Sequence, residues 1–258
     1  MRVSVASEAG SPTTPNEDWG VATEGLIVVL DGATARTGTG CSHGVAWYAG
    51  KLGSALTGFA TDRDTSLGNA LTLAIRSTAD QHRDCDLEHP GTPSAATAIL
   101  RLNGDKVEYL VLGDVSIVID AVDGVDQTAK AERAEADRHP FGSAEKQAAL
   151  LRMKHAELAA RNTPDYWVAA ANPTVAIHAI TGSLPLGEVR RVAVLTDGAA
   201  RIVNLFELLN WPGVLDVLDQ HGPTELIRRV RAVESAGPTC MRWARNKSSD
   251  DATAVYAC

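Results

Sequence analysis

Two apolar runs of this chain end in the same dipeptide, Asp-Gly, and they constrain its fold more than any other feature. The runs cover residues 25–33 (GLIVVLDGA) and residues 192–199 (VAVLTDGA). Each is typical of a buried strand, so the aspartate at its end would project a carboxylate from a rigid edge. The glycine lets the backbone bend and approach closely, so that a carbonyl oxygen can also face an ion. A single Asp-Gly more often marks an ordinary turn, but two such strands indicate a shared site.

The spacing of apolar residues predicts the other elements. Short apolar runs between polar breaks predict strands at residues 3–6, 19–22, 26–30, 115–119, 190–196 and 252–257. Residues 95–102 and 107–112 are predicted to form a hairpin, because Asn103-Gly104 favours a tight turn. Helices are predicted at residues 45–59, 67–78, 143–161, 205–209 and 224–233, with Asp64 as the cap of the second. Segregated blocks of strands and helices indicate an α+β layered domain.

Acidic residues also stand at the ends of other predicted strands. They are Glu17 and Asp18 before residue 19, Asp114 after residues 110–112, and Asp250 and Asp251 before the last strand. Each acid alone is typical of a solvated turn. Together with the two Asp-Gly motifs they form five acidic loci at strand ends. Carboxylate oxygens of this kind suit Mg²⁺ or Mn²⁺.

The order of these motifs resembles that of the type 2C (PPM) family of metal-dependent protein phosphatases. The matching segments are Asn16-Glu17-Asp18, Leu30-Asp31-Gly32, residues 91–98, residues 113–116, Thr196-Asp197-Gly198 and residues 250–253. The resemblance implies a four-layer α/β/β/α sandwich of two antiparallel sheets flanked by helices. It also implies a single domain over residues 1–258, in which residues 125–181 match no family motif and are predicted to contain a family-specific flap.

The resemblance implies that the acids hold two cations, Mn²⁺ or Mg²⁺. Asp31 would bridge both, and Gly32 would offer its backbone carbonyl. Asp197 and Asp250 would complete the shell of the first cation. A water shared by two cations about 4 Å apart would lose a proton near neutral pH, and the resulting hydroxide would attack the phosphoryl group in line.

Three more acids have implied roles around this pair. Glu17 would act through water on the second cation, and Asp114 matches a position that helps to hold a third, weaker ion. Asp18 would hydrogen-bond to a metal-bound water. Asp31 and Asp18 are therefore candidate catalytic residues as well.

Three positions depart from the family pattern. Thr13 stands where most members have an arginine that grips the substrate phosphate, and a hydroxyl replaces a guanidinium poorly. Ala33 stands where many animal members have a histidine proposed as proton donor, and Asp251 replaces an asparagine.

Basic residues close to the two Asp-Gly motifs could take over the phosphate. Arg36 and His43, after Asp31, are candidate catalytic residues for this reason, and Arg201, after Asp197, is an alternative. For each of them a solvent-facing charge is the competing interpretation. His178 is predicted to be structural.

Three functions remain open at this point. The first is a phosphatase of phosphoserine or phosphothreonine in proteins. The second keeps the metal site but acts on a small phosphorylated metabolite, since the phosphate-gripping arginine is missing. The third is a non-catalytic PPM-like module that binds a partner, against which the retained acids argue.

Composition excludes several other classes. A net charge of −8 argues against a nucleic-acid-binding surface, and the longest apolar runs are too short to span a bilayer. The four cysteines are far apart in sequence and form no C-x-x-C pair, which argues against a zinc knuckle or a disulfide framework. The first ten residues lack the pattern of a secretory signal, so a cytoplasmic protein is expected.

Overall fold

Ten strands build two antiparallel sheets in the computed structural model, which describes residues 2–121, 124–128, 151, 154–164, 166–236 and 247–258. The first sheet has the strand order β1-β10-β9-β6-β7 and the second the order β2-β3-β4-β5-β8. The strands are β1 Val3–Glu8, β2 Trp19–Ala22, β3 Leu26–Gly32, β4 Ala95–Asn103, β5 Lys106–Leu112, β6 Ser116–Ala121, β7 Gly124–Thr128, β8 Ile180–Pro185, β9 Val189–Leu195 and β10 Ala252–Ala257. Neighbouring strands pair antiparallel throughout these described sheets.

Helices cover the outer face of each sheet. The α-helices with described bounds are α1 Val45–Thr61, α2 Leu67–Ala79, α3 Asp197–Asn204, α4 Trp211–His221 and α5 Pro223–Ala236. Short 3₁₀ helices lie at Pro173–His178 and Leu186–Glu188, and residues 154–160 are also helical. Helices α1 and α2 pack on the sheet that contains β3, whereas α3, α4 and α5 pack on the sheet that contains β9 and β10. The expected four-layer α/β/β/α sandwich is confirmed.

Strand β3 illustrates why the chain forms these layers. Leu26, Val28 and Leu30 face α1 and α2, while Ile27 and Val29 face the opposite sheet. All five are buried, so the strand is apolar at every position rather than at every second one. Its first polar side chain, Asp31, is placed at the edge where the apolar layers end.

Two predicted details are wrong. The cap of α2 is Ser66, whose hydroxyl oxygen accepts a hydrogen bond from the Asn69 N–H at 3.3 Å, so Asp64 lies outside the helix. The helix predicted at residues 205–209 is a turn between α3 and α4, in which Glu207 has a φ of 53°. A non-glycine residue in that region of φ cannot continue an α-helix.

Parts of the predicted flap belong to the layered domain. Residues 129–150, 152–153 and 165 lie outside the described residues, including most of the helix predicted at 143–161. Val168, Ala169 and Val175 are buried, and the Tyr48 hydroxyl donates to the Ala170 carbonyl at 2.9 Å. This part of the segment therefore packs on the α1–α2 layer. No helix among the described residues is long and apolar enough to cross a membrane.

Candidate active site

The two Asp-Gly motifs meet at one edge of the sandwich. Asp31 is near the end of β3, and Asp197 is the first residue of α3, directly after β9 and Thr196. The backbone N–H of Asp197 donates to Asp31 Oδ2 at 3.1 Å, so acids 166 residues apart in sequence are neighbours in space. Gly198 must be glycine here, because a Cβ would lie 1.9 Å from the Asp251 carbonyl oxygen. The predicted convergence of these two motifs is therefore present.

The N-terminal acids join the same edge through hydrogen bonds. Asp18 is buried, and its Oδ2 accepts a hydrogen bond from the Thr196 hydroxyl at 2.8 Å. Glu17 accepts one from the Thr34 hydroxyl. A Cβ on Gly32 would lie 2.5 Å from the Glu17 carbonyl oxygen, so the glycine allows residues 17 and 32 to be in contact. This close contact places Glu17 beside Asp31.

Asp251 fixes the loop that carries Glu17. Its Oδ1 accepts the Gly10 N–H and its Oδ2 accepts the Glu17 N–H, both at 2.7 Å. A carboxylate has two oxygens for two N–H donors, whereas an amide has one. The aspartate that replaces the family's asparagine therefore suits its two backbone partners.

Burial and mutual repulsion raise the pKa values of the clustered acids. Burial, followed by the charges of Asp197 and Asp18, raises the pKa of Asp31 well above its usual value. Burial raises the pKa of Asp18 to about 8, and burial with the charge of Asp197 raises that of Asp114 to about 7. The pKa of Asp197 is raised by burial and by Asp250. Carboxylates held together in this way are stabilised by any added positive charge.

Asp250 differs from the other acids because two cationic side chains already pair with it. Arg201 donates to its Oδ2 at 2.8 Å and Lys247 donates to its Oδ1. Arg201 is buried and also donates to Glu234 Oε1 at 2.7 Å, while Lys247 donates to the Thr34 hydroxyl at 2.8 Å. Burial alone would lower the pKa of Lys247, but Asp250 and the neighbouring carboxylates outweigh burial and raise it. Lys247 thus places an ammonium group within the acidic cluster.

Comparison with known proteins identifies the family of this arrangement. The family model described as protein phosphatase 2C matches residues 13–221. The chain belongs to the protein phosphatase 2C family. The match covers most of the chain, so the family predicted from the motif order is confirmed. A search of curated proteins gave no significant match.

Solved structures with the same fold include bacterial serine/threonine phosphatases. The PstP/Ppp phosphatase of Mycobacterium tuberculosis superposes with a TM-score of 0.56 at 14% identity, covering 99% of this chain and 97% of that chain. The PstP catalytic domain with two manganese ions gives 0.56 at 17% identity, covering 99% and 96%. MsPP of Mycobacterium smegmatis, in complex with cacodylate, gives 0.58 at 17% identity, covering 99% and 97%. At these identities the likeness concerns the fold.

The family's cations can be tested against the donors of this chain. Asp31, Asp197 and Asp114 interact through their charges, so their carboxylate oxygens are candidate donors on the Asp31 side of the cluster. The charges that act on Glu17 are instead those of Lys247, Asp251 and Asp250. Carboxylate oxygens are the hard donors that Mg²⁺ and Mn²⁺ require, so Asp31, Asp197 and Asp114 fit these cations. On the other side, both oxygens of Asp250 are in ion pairs. A cation that binds Asp250 Oδ1 would therefore compete with Lys247.

The basic residues singled out in the sequence lie in different surroundings. Arg36 is half-buried in the loop after Asp31, and no hydrogen bond or ion pair involves its side chain within the described ranges. His43 is stacked on Trp47 with ring centroids 4.1 Å apart, and its Nδ1 lies against two cysteine sulfurs. Arg201 is held by two carboxylates. Arg36 is therefore the candidate best able to turn toward a phosphate.

Sequence reasoning missed Lys247 and the pairing of Arg201. Lys247 lies in a polar segment, NKSSDD, where a lysine is typical of a solvated loop. Only its position three residues before Asp250 could have indicated a contact. The predicted structural role of His178 agrees with its stacking on Trp167, with ring centroids 3.4 Å apart.

Proposed function

We propose that this chain is a divalent-cation-dependent phosphatase of phosphoserine and phosphothreonine residues in proteins. The observation that carries the proposal is the cluster of acids at the edge of the sandwich, whose pKa values are raised by desolvation and by one another. Such a cluster is unfavourable without counter-charge. Divalent cations are the counter-charge to expect, because the chain belongs to the protein phosphatase 2C family and the PstP structure contains two manganese ions.

The proposed ligands follow from the positions of the acids. Asp31 would contact both cations and Asp197 would contact the first. Glu17 would act through water on the second cation, and Asp114 would help to hold a third. The Gly32 carbonyl would contribute as the family resemblance implies, and the close packing of residue 32 against Glu17 leaves no room for a side chain there. When bound, two such cations supply a hydroxide nucleophile at neutral pH and neutralise charge on the phosphoryl oxygens.

The protein's own groups would orient the reactants. Asp18, fixed by the Thr196 hydroxyl, is proposed to accept a hydrogen bond from a water in the site. Arg36 is proposed to bind phosphoryl oxygens, since a guanidinium can donate two parallel hydrogen bonds to them. Asp250 is proposed to join the first cation after Lys247 moves, and the freed ammonium would then be available to the substrate phosphate.

Phosphate release from phosphopeptides, with and without Mn²⁺, tests this function. We expect activity with Mn²⁺ and none in chelator. Asp31→Asn and Asp197→Asn should each abolish hydrolysis while circular dichroism shows an intact fold, because each removes a ligand and a repelling charge. Arg36→Ala should raise KM more than it lowers kcat. Full activity of either Asn variant, or activity indifferent to chelator, would refute the assignment.

Two observations favour alternative functions, which the same experiments can distinguish. Thr13 is exposed and hydrogen-bonds only to Ser11 among the described residues, so the arginine expected from the family has no substitute there. Activity on small phosphate esters with none on phosphopeptides would favour a small phosphorylated metabolite. The double ion pair of Asp250 is the observation that favours a non-catalytic binding module. Calorimetry that detects no Mn²⁺ binding dependent on Asp31 would favour that module.

A further inference from the structure

Two loops that flank α1 and α2 pack against each other. The first, residues 33–44, follows β3, and the second, residues 80–94, follows α2. The Asp86 N–H donates to the Gly40 carbonyl at 2.8 Å. A Cβ on Gly91 would lie 2.3 Å from the Gly38 carbonyl oxygen, so the two backbones are in direct contact. These contacts fix how the side chains of the two loops face each other.

The two loops bring two cysteines and a histidine into contact. Cys41 Sγ lies 3.4 Å from Cys85 Sγ, although 44 residues separate them, and neither cysteine is in a disulfide. His43 Nδ1 lies 3.6 Å from Cys41 Sγ and 3.4 Å from Cys85 Sγ. The separation of the cysteines in sequence argued against a cysteine-based metal site, but the fold brings Cys41 and Cys85 into contact.

A second histidine faces the same cluster with an unsatisfied nitrogen. His82 is buried, and its Nδ1 is 2.9 Å from the Thr78 carbonyl, which assigns the ring proton to Nδ1. Its Nε2 is buried and has no hydrogen-bond partner. The ligand atoms of Cys41, His43 and His82 all lie within 4.8 Å of one another. A buried lone pair without a donor is costly, and a metal ion would satisfy it.

Trp47 holds both imidazoles in position. The His43 ring stacks on it at 4.1 Å, and the His82 ring meets it edge-on at 4.7 Å. The two imidazoles are themselves 5.3 Å apart and nearly perpendicular. Packing of this kind limits the rotation of both imidazole rings.

We propose that Cys41, His43, His82 and Cys85 bind one structural zinc ion. In a tetrahedral site with bonds of about 2.3 Å to sulfur and about 2.0 Å to nitrogen, the ligand atoms stand about 3.3 to 3.8 Å apart. The three distances among Cys41, Cys85 and His43 are 3.4, 3.6 and 3.4 Å. Two thiolates and two imidazoles favour zinc over the hard cations that carboxylates select.

Four protein ligands leave no open coordination position, which is typical of structural zinc rather than catalytic zinc. The ion would join the loop after Asp31 to the loop after α2. The zinc proposal does not depend on the proposed phosphatase function, because the two sets of ligands share no residue.

Metal analysis of the purified chain tests the proposal. The protein is produced with zinc in the medium, purified with a non-thiol reductant and dialysed, and its metals are measured by plasma mass spectrometry. We expect about one zinc ion per chain, and its release into a colorimetric zinc indicator when a mercurial modifies the thiols. Cys41→Ser and Cys85→Ser should lose the ion. Cys258→Ser, which removes an exposed thiol elsewhere, and Asp31→Asn, which alters only the acidic cluster, should keep it.

Cobalt substitution of the wild-type chain gives a test that does not depend on variants that fold. Co²⁺ in the proposed site should give the intense visible bands of tetrahedral cobalt and a near-ultraviolet thiolate charge-transfer band, and one equivalent of Zn²⁺ should abolish both. Wild-type protein without zinc, a pale octahedral cobalt spectrum, or a Cys41–Cys85 disulfide after reductive purification would each overturn the proposal. Zinc that remains in folded Cys41→Ser and Cys85→Ser but leaves Asp31→Asn would place the ion in the acidic cluster instead.

Discussion

Replacing Asp114 with asparagine should stabilise the metal-free protein, and the gain should grow with pH. Burial and the charge of Asp197 raise the pKa of Asp114 to about 7, against about 3.9 for an aspartate in an unfolded chain. As the pH rises from about 4 to about 7, the unfolded chain ionises this group first, so the folded state loses stability across that window. Above pH 7 the loss is complete, and for an isolated group it would be roughly 4 kcal/mol.

The expected gain is smaller than this limit because Asp197, Glu157 and Asp250 contribute to the same repulsion. Asparagine keeps the shape of the side chain and removes the charge, so we expect it to recover about 1–2 kcal/mol near pH 8 and almost nothing near pH 4. For a chain of this length that corresponds to a rise in Tm of about 2–8 °C. The stability gained by Asp114→Asn therefore depends on pH, whereas a change in packing alone would give the same gain at every pH.

Thermal unfolding in chelator, followed by circular dichroism between about pH 4 and about pH 8, measures the effect. Chelator is present for every protein, so any loss of other metals is common to all. Asp64→Asn serves as the matched control, because it removes an exposed carboxylate outside the cluster. Added Mn²⁺ should raise the Tm of the wild type more than that of Asp114→Asn. A variant that is less stable than the wild type at pH 8, or a difference that does not change with pH, would refute the reasoning.

Three further changes probe the charges around Asp250. Lys247→Met should tighten Mn²⁺ binding about fivefold, or by roughly 1 kcal/mol, because the ammonium competes with the cation for Asp250. An unchanged or weaker affinity in calorimetry would contradict this. Arg201→Met should lower the stability by about 3 kcal/mol and the Tm by about 6–12 °C, since Glu234 loses a buried partner; an unchanged Tm would exclude it. Asp251→Asn restores the family residue yet should cost about 1–2 kcal/mol in urea unfolding, because the amide NH2 would face one of the two backbone N–H donors and leave it without an acceptor. Equal stability would show that the second acceptor is dispensable.

The sequence was sufficient to predict the layers and the acidic cluster. In β3 the unbroken apolar run predicted a strand with two buried faces, and the aspartate after it had to lie where the burial ends. Helix α3 was missed because Asp197-Gly198 at its start is also typical of a turn. The turn at residues 205–209 was mistaken for a helix because Leu205, Phe206 and Leu209 contact the core around α3 and α4, although the backbone is not helical there.

Contacts between loops could not be predicted from the sequence. Cys41 and Cys85 meet only because residues 33–44 and 80–94 pack against each other, and neither periodicity nor spacing encodes that packing. Lys247 enters the acidic cluster through the path of one loop. Secondary structure follows from local pattern, whereas the partners of a loop side chain depend on tertiary placement of both segments.

The charges of the metal-free cluster imply an order in which cations enter it. On the Asp250 side, Arg201 and Lys247 already neutralise the carboxylate, so an incoming cation must displace an ammonium group. On the Asp31 side, burial and repulsion raise the pKa of Asp31, and the acids gain the most from positive charge. The first cation should therefore bind among Asp31, Asp197 and Asp114. Its charge would repel the ammonium of Lys247, so the release of Asp250 Oδ1 from Lys247 would follow that first binding step.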